Sequence, residues 1–319
     1  MSHDSPRVIP ISLRFGILYA SLCVGLAAPS AFAQEMEPKA YSASPVGANF
    51  LVASYFWSTG SVLLDPTLPI ADVHADVQGL AFGVGHTFNL FGDLGLVSVA
   101  LPVGWVDATG KVFEQATEVT RSGLTDTRLK LSVNLRGNPA MTLREFATAP
   151  RRTVVGASLS VLAPTGQYDG KKLINLGTNR WGFKPEVGVS WPKSRWDIDA
   201  YVGGWFFTTN PDFFPGGVTR AQDPMLTVQA HASYTVRRGL WIAADSTWYR
   251  GGSTRVGGGI PTIPVDNSRL GVTASLPVGA RYSLKVAYSR GAVVRTGTNF
   301  STIAVAGQVL WLSPRWAGR

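Results

Sequence analysis

The chain has 319 residues, 45% hydrophobic and only 15% charged, with 29 Lys/Arg against 20 Asp/Glu for a formal net charge of +9. Soluble domains average about 25% charged residues, and disorder needs high charge with low hydrophobicity, so a disordered chain is excluded. The basic residues are scattered rather than massed into a stripe, which argues against a nucleic-acid partner.

The first predicted element is an export signal. Arg7 and Arg14 precede an apolar run from Phe15 to Ala28, and Ala31-Phe32-Ala33 forms an A-x-A cleavage site. These features predict a signal peptide over 1–33, with a core too short to span a bilayer well. Cys23 lies inside it and is the only cysteine, so the exported chain is expected to carry no disulfide. A short periplasmic N-terminal segment is expected over 34–46.

From residue 47 onward, polar and apolar residues alternate. Arg128, Lys130, Ser132, Asn134 and Arg136 oppose Leu129, Leu131, Val133 and Leu135. Lys184, Glu186 and Ser190 oppose Phe183, Val187, Val189 and Trp191, and Asp197, Asp199 and Tyr201 oppose Ile198, Ala200 and Val202. Thr227, Gln229, His231 and Ser233 oppose Leu226, Val228, Ala230 and Ala232. Thr302, Ala304, Ala306 and Gln308 oppose Ile303, Val305, Val309 and Trp311. A period of two with one polar and one apolar face marks a strand between two different solvents.

Such segments are predicted near 47–58, 76–90, 94–106, 123–136, 152–163, 181–191, 195–207, 224–237, 240–250, 266–276, 281–292 and 299–312. Long connections (59–75, 107–122, 164–180, 208–223, 251–265 and a shorter 293–298) alternate with tight turns. The turns are Gly92-Asp93, Pro192-Lys193-Ser194, Arg238-Gly239 and Pro277-Val278-Gly279. The exception, 137–151, carries a predicted short helix from Thr142 to Ala147. Long outer loops and short periplasmic turns are the habit of outer-membrane barrels. The expected fold is therefore all-β: a transmembrane antiparallel up-and-down β-barrel of about 12 strands over 47–312, with a tail over 313–319. A soluble ligand-binding barrel would be apolar inside and polar outside, the reverse of this pattern.

Tryptophans cluster at the predicted strand ends. Trp57, Trp105, Trp181, Trp205 and Trp248 fall at outer ends, and Trp191, Trp196, Trp241 and Trp311 at inner ends. They are expected to form two aromatic girdles at the headgroup levels. The location is then the outer membrane of a Gram-negative bacterium. Expected partners are its lipid and lipopolysaccharide, the barrel assembly machinery during biogenesis, and a small solute.

Four strings carry a family resemblance: Ser122-Gly-Leu-Thr-Asp-Thr-Arg128, Ala163-Pro-Thr-Gly-Gln-Tyr-Asp169, Ile174-Asn-Leu-Gly-Thr-Asn-Arg-Trp181 and Lys184-Pro-Glu186. With them the chain resembles the outer-membrane transporter family of the MetA pathway of phenol degradation, from about Ala40 to Trp311. The resemblance implies an outer-membrane barrel passing aromatic or other hydrophobic compounds, and brings no catalytic residues.

Catalytic and cofactor motifs are missing from the exported sequence: it has no HExxH, cysteine pair, P-loop or G-x-S-x-G. No cofactor, metal site or enzymatic activity is expected. The alternative enzyme reading, an acyl hydrolase, starts from the Arg238-Gly239 turn, whose register sets His231 opposite Asp245 with Ser233 two residues along. A structural outer-membrane protein is the other alternative. The favoured reading is a channel. Lys130, Glu186, His231, Asp245 and Lys285 fall at similar middle depths on inward faces, with Arg128, Asp197 and Asp199 also in the lumen. They either line a constriction that sets ion preference or pair with one another and hold the wall together.

Overall fold

The computed structural model describes residues 36–63, 70–112, 115–172, 174–214, 216–279 and 281–313. The predicted signal peptide and most of the predicted tail lie outside the described residues. In chain order the elements are β1 (Ala48–Leu63), β2 (Ile70–Leu90), β3 (Asp93–Val112), β4 (Gln115–Leu124), β5 (Thr127–Pro139) and α1 (Leu143–Thr148). They continue with β6 (Val154–Ala163), β7 (Gly182–Lys193), β8 (Trp196–Phe207), β9 (Asn210–Phe213), β10 (Val218–Gln222) and β11 (Met225–Arg237). The last are β12 (Leu240–Gly251), β13 (Thr254–Val256), β14 (Val265–Pro277), β15 (Tyr282–Val293) and β16 (Gly297–Leu312).

All of these strands except β4, β9, β10 and β13 form one closed antiparallel barrel of 12 strands, each paired with its neighbour along the chain and β1 paired with β16 across the closure. Closure leaves no unpaired edge, which is the condition for a sheet to cross lipid. The side chains invert the usual burial rule. Val187 is 58% exposed on the outer face while its neighbour Glu186 is 6% exposed inside. Apolar outside and polar inside is the arrangement that hydrocarbon requires. No described helix is long and apolar enough to cross a membrane; the crossing is made by strands.

The register at the tight Arg238-Gly239 turn is the one read from the sequence, with His231 paired to Asp245. Gly239 holds φ at +78°, a value that glycine adopts without strain. The predicted helix is present as α1. Thr142 caps it by accepting from the Glu145 N–H at 3.4 Å, and the Glu145 carboxylate accepts from the Thr142 N–H at 2.7 Å.

The outer connections differ from the expected loops. β1 and β2 stay paired out to Ser61 and His74, and β3 runs on against β4 to Val112 and Gln115. β-Branched residues such as Thr117, Val119 and Thr120 keep the ladder going past the membrane. β4 and β5 are one strand interrupted at Thr125-Asp126, both pairing with β3. β9, β10 and β13 form a separate three-stranded sheet from the two long connections before β11 and β14.

Candidate functional site

The lumen has two unlike halves. Along β5 to β12 the inward residues are polar and buried: Ser132, Asn134, Ser158, Lys184, Glu186, Asp199, Gln229, His231 and Asp245 are each below 10% exposed. The chain's own N-terminal segment packs against this wall at Asn134, Ser158, Glu186 and Asp199. Sequence reading puts 34–46 in the periplasm, but residues 36–41 run inside the barrel, because their charges and ring find partners on this polar wall.

Glu37 accepts from the Lys130 ammonium. That ammonium holds the Glu37 carboxyl well below the usual carboxylate range, against the opposing effect of burial. The Lys39 ammonium meets Asp197, and the Lys39 N–H donates to the Asp199 carboxylate at 3.1 Å. The Ala40 N–H donates to the Tyr201 hydroxyl at 3.1 Å. Tyr41, 1% exposed, places its hydroxyl 3.1 Å from Ser158 Oγ and donates to Glu186 Oε1 at 3.3 Å. Burial pushes the Tyr41 phenol upward, so it stays a donor. Its ring occupies space left by two glycines. A Cβ at Gly156 would stand 2.2 Å from that ring, and one at Gly188 2.5 Å. The segment is anchored at the periplasmic rim, where the Val46 N–H donates to the Met141 carbonyl at 2.9 Å and Gly47 to that of Thr87 at 2.8 Å. Next to it a cavity of about 460 Å³ opens between α1, Asn138, Arg151 and Asp197.

All eight candidate lumen residues face inward, and Lys130, Glu186, Asp197 and Asp199 are brought together around the segment. Glu186 meets the Lys184 ammonium at 2.7 Å and accepts from Gln229 Nε2 at 3.0 Å. His231 Nδ1 lies 2.7 Å from Asp245 Oδ1, and Thr273 donates to Asp245 Oδ2 at 2.6 Å. His231 Nε2 and Ser233 Oγ each lack a hydrogen-bond partner, so nucleophile and base are not engaged with one another. Asp197 also meets Arg151. Lys285 stands apart, its ammonium 5.7 Å from the Trp241 ring centroid, and Arg128 lies 5.7 Å from that of Trp205. Among the described residues no group of three His, Cys, Asp or Glu could hold a metal.

The other half, β16 and β1 to β3, is more open and lined largely by small and apolar residues, with Ser54, Ser98 and Gln308 among them, while β15 adds Lys285 and Ser289. Its inward residues Phe50, Val52, Phe56, Ala81, Ala100, Ala304 and Ala306 are only half-buried, although they point into the barrel. The two phenylalanines lie on glycines of β2: a Cβ at Gly85 would stand 2.0 Å from the Phe50 ring, and one at Gly79 2.3 Å from that of Phe56. At the outer end this wall meets a buried cluster of Ala75, Val77, Ala108, Phe300 and Ile174, the last from the connection between β6 and β7. Asp126, fully buried, pins that connection by accepting from the Gly166 N–H at 3.0 Å and the Thr178 N–H at 2.9 Å.

Two of the expected girdle residues are corrected. Trp205 is 6% exposed and shares the inward parity of Asp197, Asp199 and Tyr201, and Trp241 lies in the lumen between the ammonium groups of Lys39 and Lys285. Position along a strand does not decide facing; parity does. Trp57, Trp105, Trp181, Trp191, Trp196 and Trp311 are exposed on the outer face, and Trp248 donates to Asp266 at 2.9 Å.

Residues 47–301 match the model of the family described as "Putative MetA-pathway of phenol degradation". Among solved structures, an outer membrane channel from Pseudomonas putida superposes with a TM-score of 0.74 at 22% identity, covering 87% of this chain and 100% of that one. The transport unit of the autotransporter AIDA-I from Escherichia coli superposes with a TM-score of 0.54 at 7% identity, covering 92% of this chain and 98% of that one. At these identities the likeness is one of fold. No curated protein matches the chain.

Proposed function

Because the chain belongs to the phenol-degradation MetA-pathway family, we propose that this outer-membrane barrel is a channel for small hydrophobic solutes, aromatic compounds among them. The observation that carries this reading is the open apolar wall of Val52, Ala81, Ala304 and their neighbours, set opposite a polar wall that the N-terminal segment fills. A water-filled porin would leave its charged side chains solvated. Here Lys130, Lys184, Glu186 and Asp197 are paired, and the accessible surface opposite them is largely one to which an aromatic ring transfers favourably from water. The name of the Pseudomonas putida relative, an outer membrane channel, agrees with this reading. The buried polar network then holds the segment in place, and the candidate residues Lys130, Glu186, Asp197 and Asp199 serve as its seat.

Entry of the hydrophobic fluorophore N-phenyl-1-naphthylamine into intact Gram-negative cells tests it, since the lipopolysaccharide leaflet is the barrier. Expression of the chain should raise the entry rate severalfold, and Val52→Asp or Ala81→Asp should bring it back towards that of cells without the barrel. Equal rates in folded wild-type and variant barrels would remove the apolar wall from the path.

A further inference from the structure

The periplasmic rim is charged differently from the outer end. Three neighbouring tight turns, at 192–195, 237–239 and 277–281, carry Lys193, Arg195, Arg237, Arg238 and Arg281 and no carboxylate. All five are exposed, and among the described residues none of them makes an ion pair. At the outer end, exposed cations find carboxylates: Lys172 meets Asp169 at 3.6 Å, Arg255 meets Asp223 at 3.5 Å and Arg295 meets Asp266 at 3.0 Å. The three turns also touch one another. The Thr235 N–H donates to the Arg195 carbonyl at 2.8 Å, and a Cβ at Gly239 would stand 3.0 Å from Pro277. Beside them the outer face of the wall is apolar and aromatic, with Trp191, Trp196, Ile242 and Tyr282 exposed. The Lys193 ammonium lies 6.0 Å from the Trp191 ring centroid, and the Trp196 and Tyr234 centroids are 5.0 Å apart.

Like charges crowded on one rim repel one another unless an anion lies among them. A lipid phosphodiester is the anion that this position offers. Guanidinium groups take phosphate oxygens in pairs, and aromatic rings on a barrel wall mark the level where headgroups meet acyl chains. We propose that the three turns form a binding site for anionic phospholipids of the phosphatidylglycerol class in the periplasmic leaflet. The phosphate is taken by Lys193, Arg195 and Arg238, and the acyl chains run along the outer face past Trp196 and Ile242. Phosphatidylethanolamine carries an ammonium beside its own phosphate, which already answers that charge, so the site favours the lipid without one. A soluble acidic protein would answer the cations but leave the adjoining rings and apolar wall uncovered. The site lies outside the lumen and stands whatever solute the barrel passes.

Native mass spectrometry of the purified full chain in detergent tests it, with phosphatidylglycerol and phosphatidylethanolamine of the same acyl chains offered in equal amounts. Phosphatidylglycerol adducts should exceed phosphatidylethanolamine adducts severalfold. The variant Lys193→Gln, Arg195→Gln, Arg238→Gln should bring the two lipids close to parity. The variant Lys171→Gln, Arg250→Gln, Arg255→Gln, which removes as many cations at the outer end, should keep the wild-type preference. Arg195→Gln alone, expected to lower the preference part of the way, supplies the reading if the triple variant does not fold. A preference that survives in the folded inner variants overturns the site, and so does one that falls equally in the outer variant. Glycerophosphoglycerol, the headgroup without chains, should not displace the lipid at equal concentration. Displacement by it overturns the membrane occupant, since the wall would then contribute nothing. Equal uptake of both lipids by the wild-type barrel also overturns the site and leaves the rim to an acidic protein.

Discussion

Tyr41 and Gly156 show how one missing methyl group decides what fills the lumen. The three nearest atoms to a Cβ built on Gly156 all belong to the Tyr41 ring, so Gly156→Ala strikes the N-terminal segment and spares the rest of the wall. Displacing the ring also breaks its bonds to Ser158 and Glu186, each worth about 1 kcal/mol net. Gly156→Ala is therefore expected to raise single-channel conductance in planar bilayers without loss of folding; conductance equal to wild type would show that the segment repacks. Glu37 sets the acid limit of the same docking. Its carboxyl is depressed by Lys130, so docking gains stability above the ordinary value of 4.5 and loses it only as pH falls through the lower, docked value. Lys130→Gln removes the main cause of the depression and leaves burial acting upward against the smaller effects of Arg128 and Lys184. The pH at which protease cuts residues 36–41 should then rise relative to wild type, and an unmoved release point would mean that Glu37 does not hold the segment.

At the level of strands, parity separates lipid from lumen one residue at a time. Val305 faces lipid on β16, and a lysine there near the bilayer midplane should cost about 2–4 kcal/mol. Ala304 faces the open half of the lumen, where an added ammonium reaches water. Val305→Lys should impair barrel folding yield in detergent and Ala304→Lys should not; equal yields would contradict the facing of β16. The comparison belongs on the open wall, because Thr227 and Ser132, also inward, are already buried against other groups. This alternation was legible in the sequence, as was the pairing of His231 with Asp245, since a period of two and a tight turn are local properties. Trp205 was legible too, by the parity of Asp197, Asp199 and Tyr201, though its place near a strand end pointed to the girdle. The docked segment was not. Met36 to Ala40 have no periodicity, and Glu37 and Tyr41 find partners 93 and 145 residues away, a distance no local pattern reports. Arg180 lay in a string that resembled the family, but only the folded outer connections bring it to Phe207 and Gln222.

For the barrel as a whole, the two halves of the lumen predict two separable conductances. Ions need water, and water would take the polar half along Lys130, Glu186 and Asp199 only when the N-terminal segment leaves it. Hydrophobic solutes need the apolar half, which is open with the segment in place. The double variant Lys39→Gln, Tyr41→Ala removes the ion pair to Asp197 and the bonds to Ser158 and Glu186 while leaving every strand residue unchanged. It should raise ionic conductance severalfold and leave entry of N-phenyl-1-naphthylamine into cells near the wild-type rate. Val52→Asp should do the reverse, slowing the fluorophore while ionic conductance stays at or above wild type. Both measurements moving together in both variants would mean that ions and hydrophobic solutes share one path, and that the segment gates it for both.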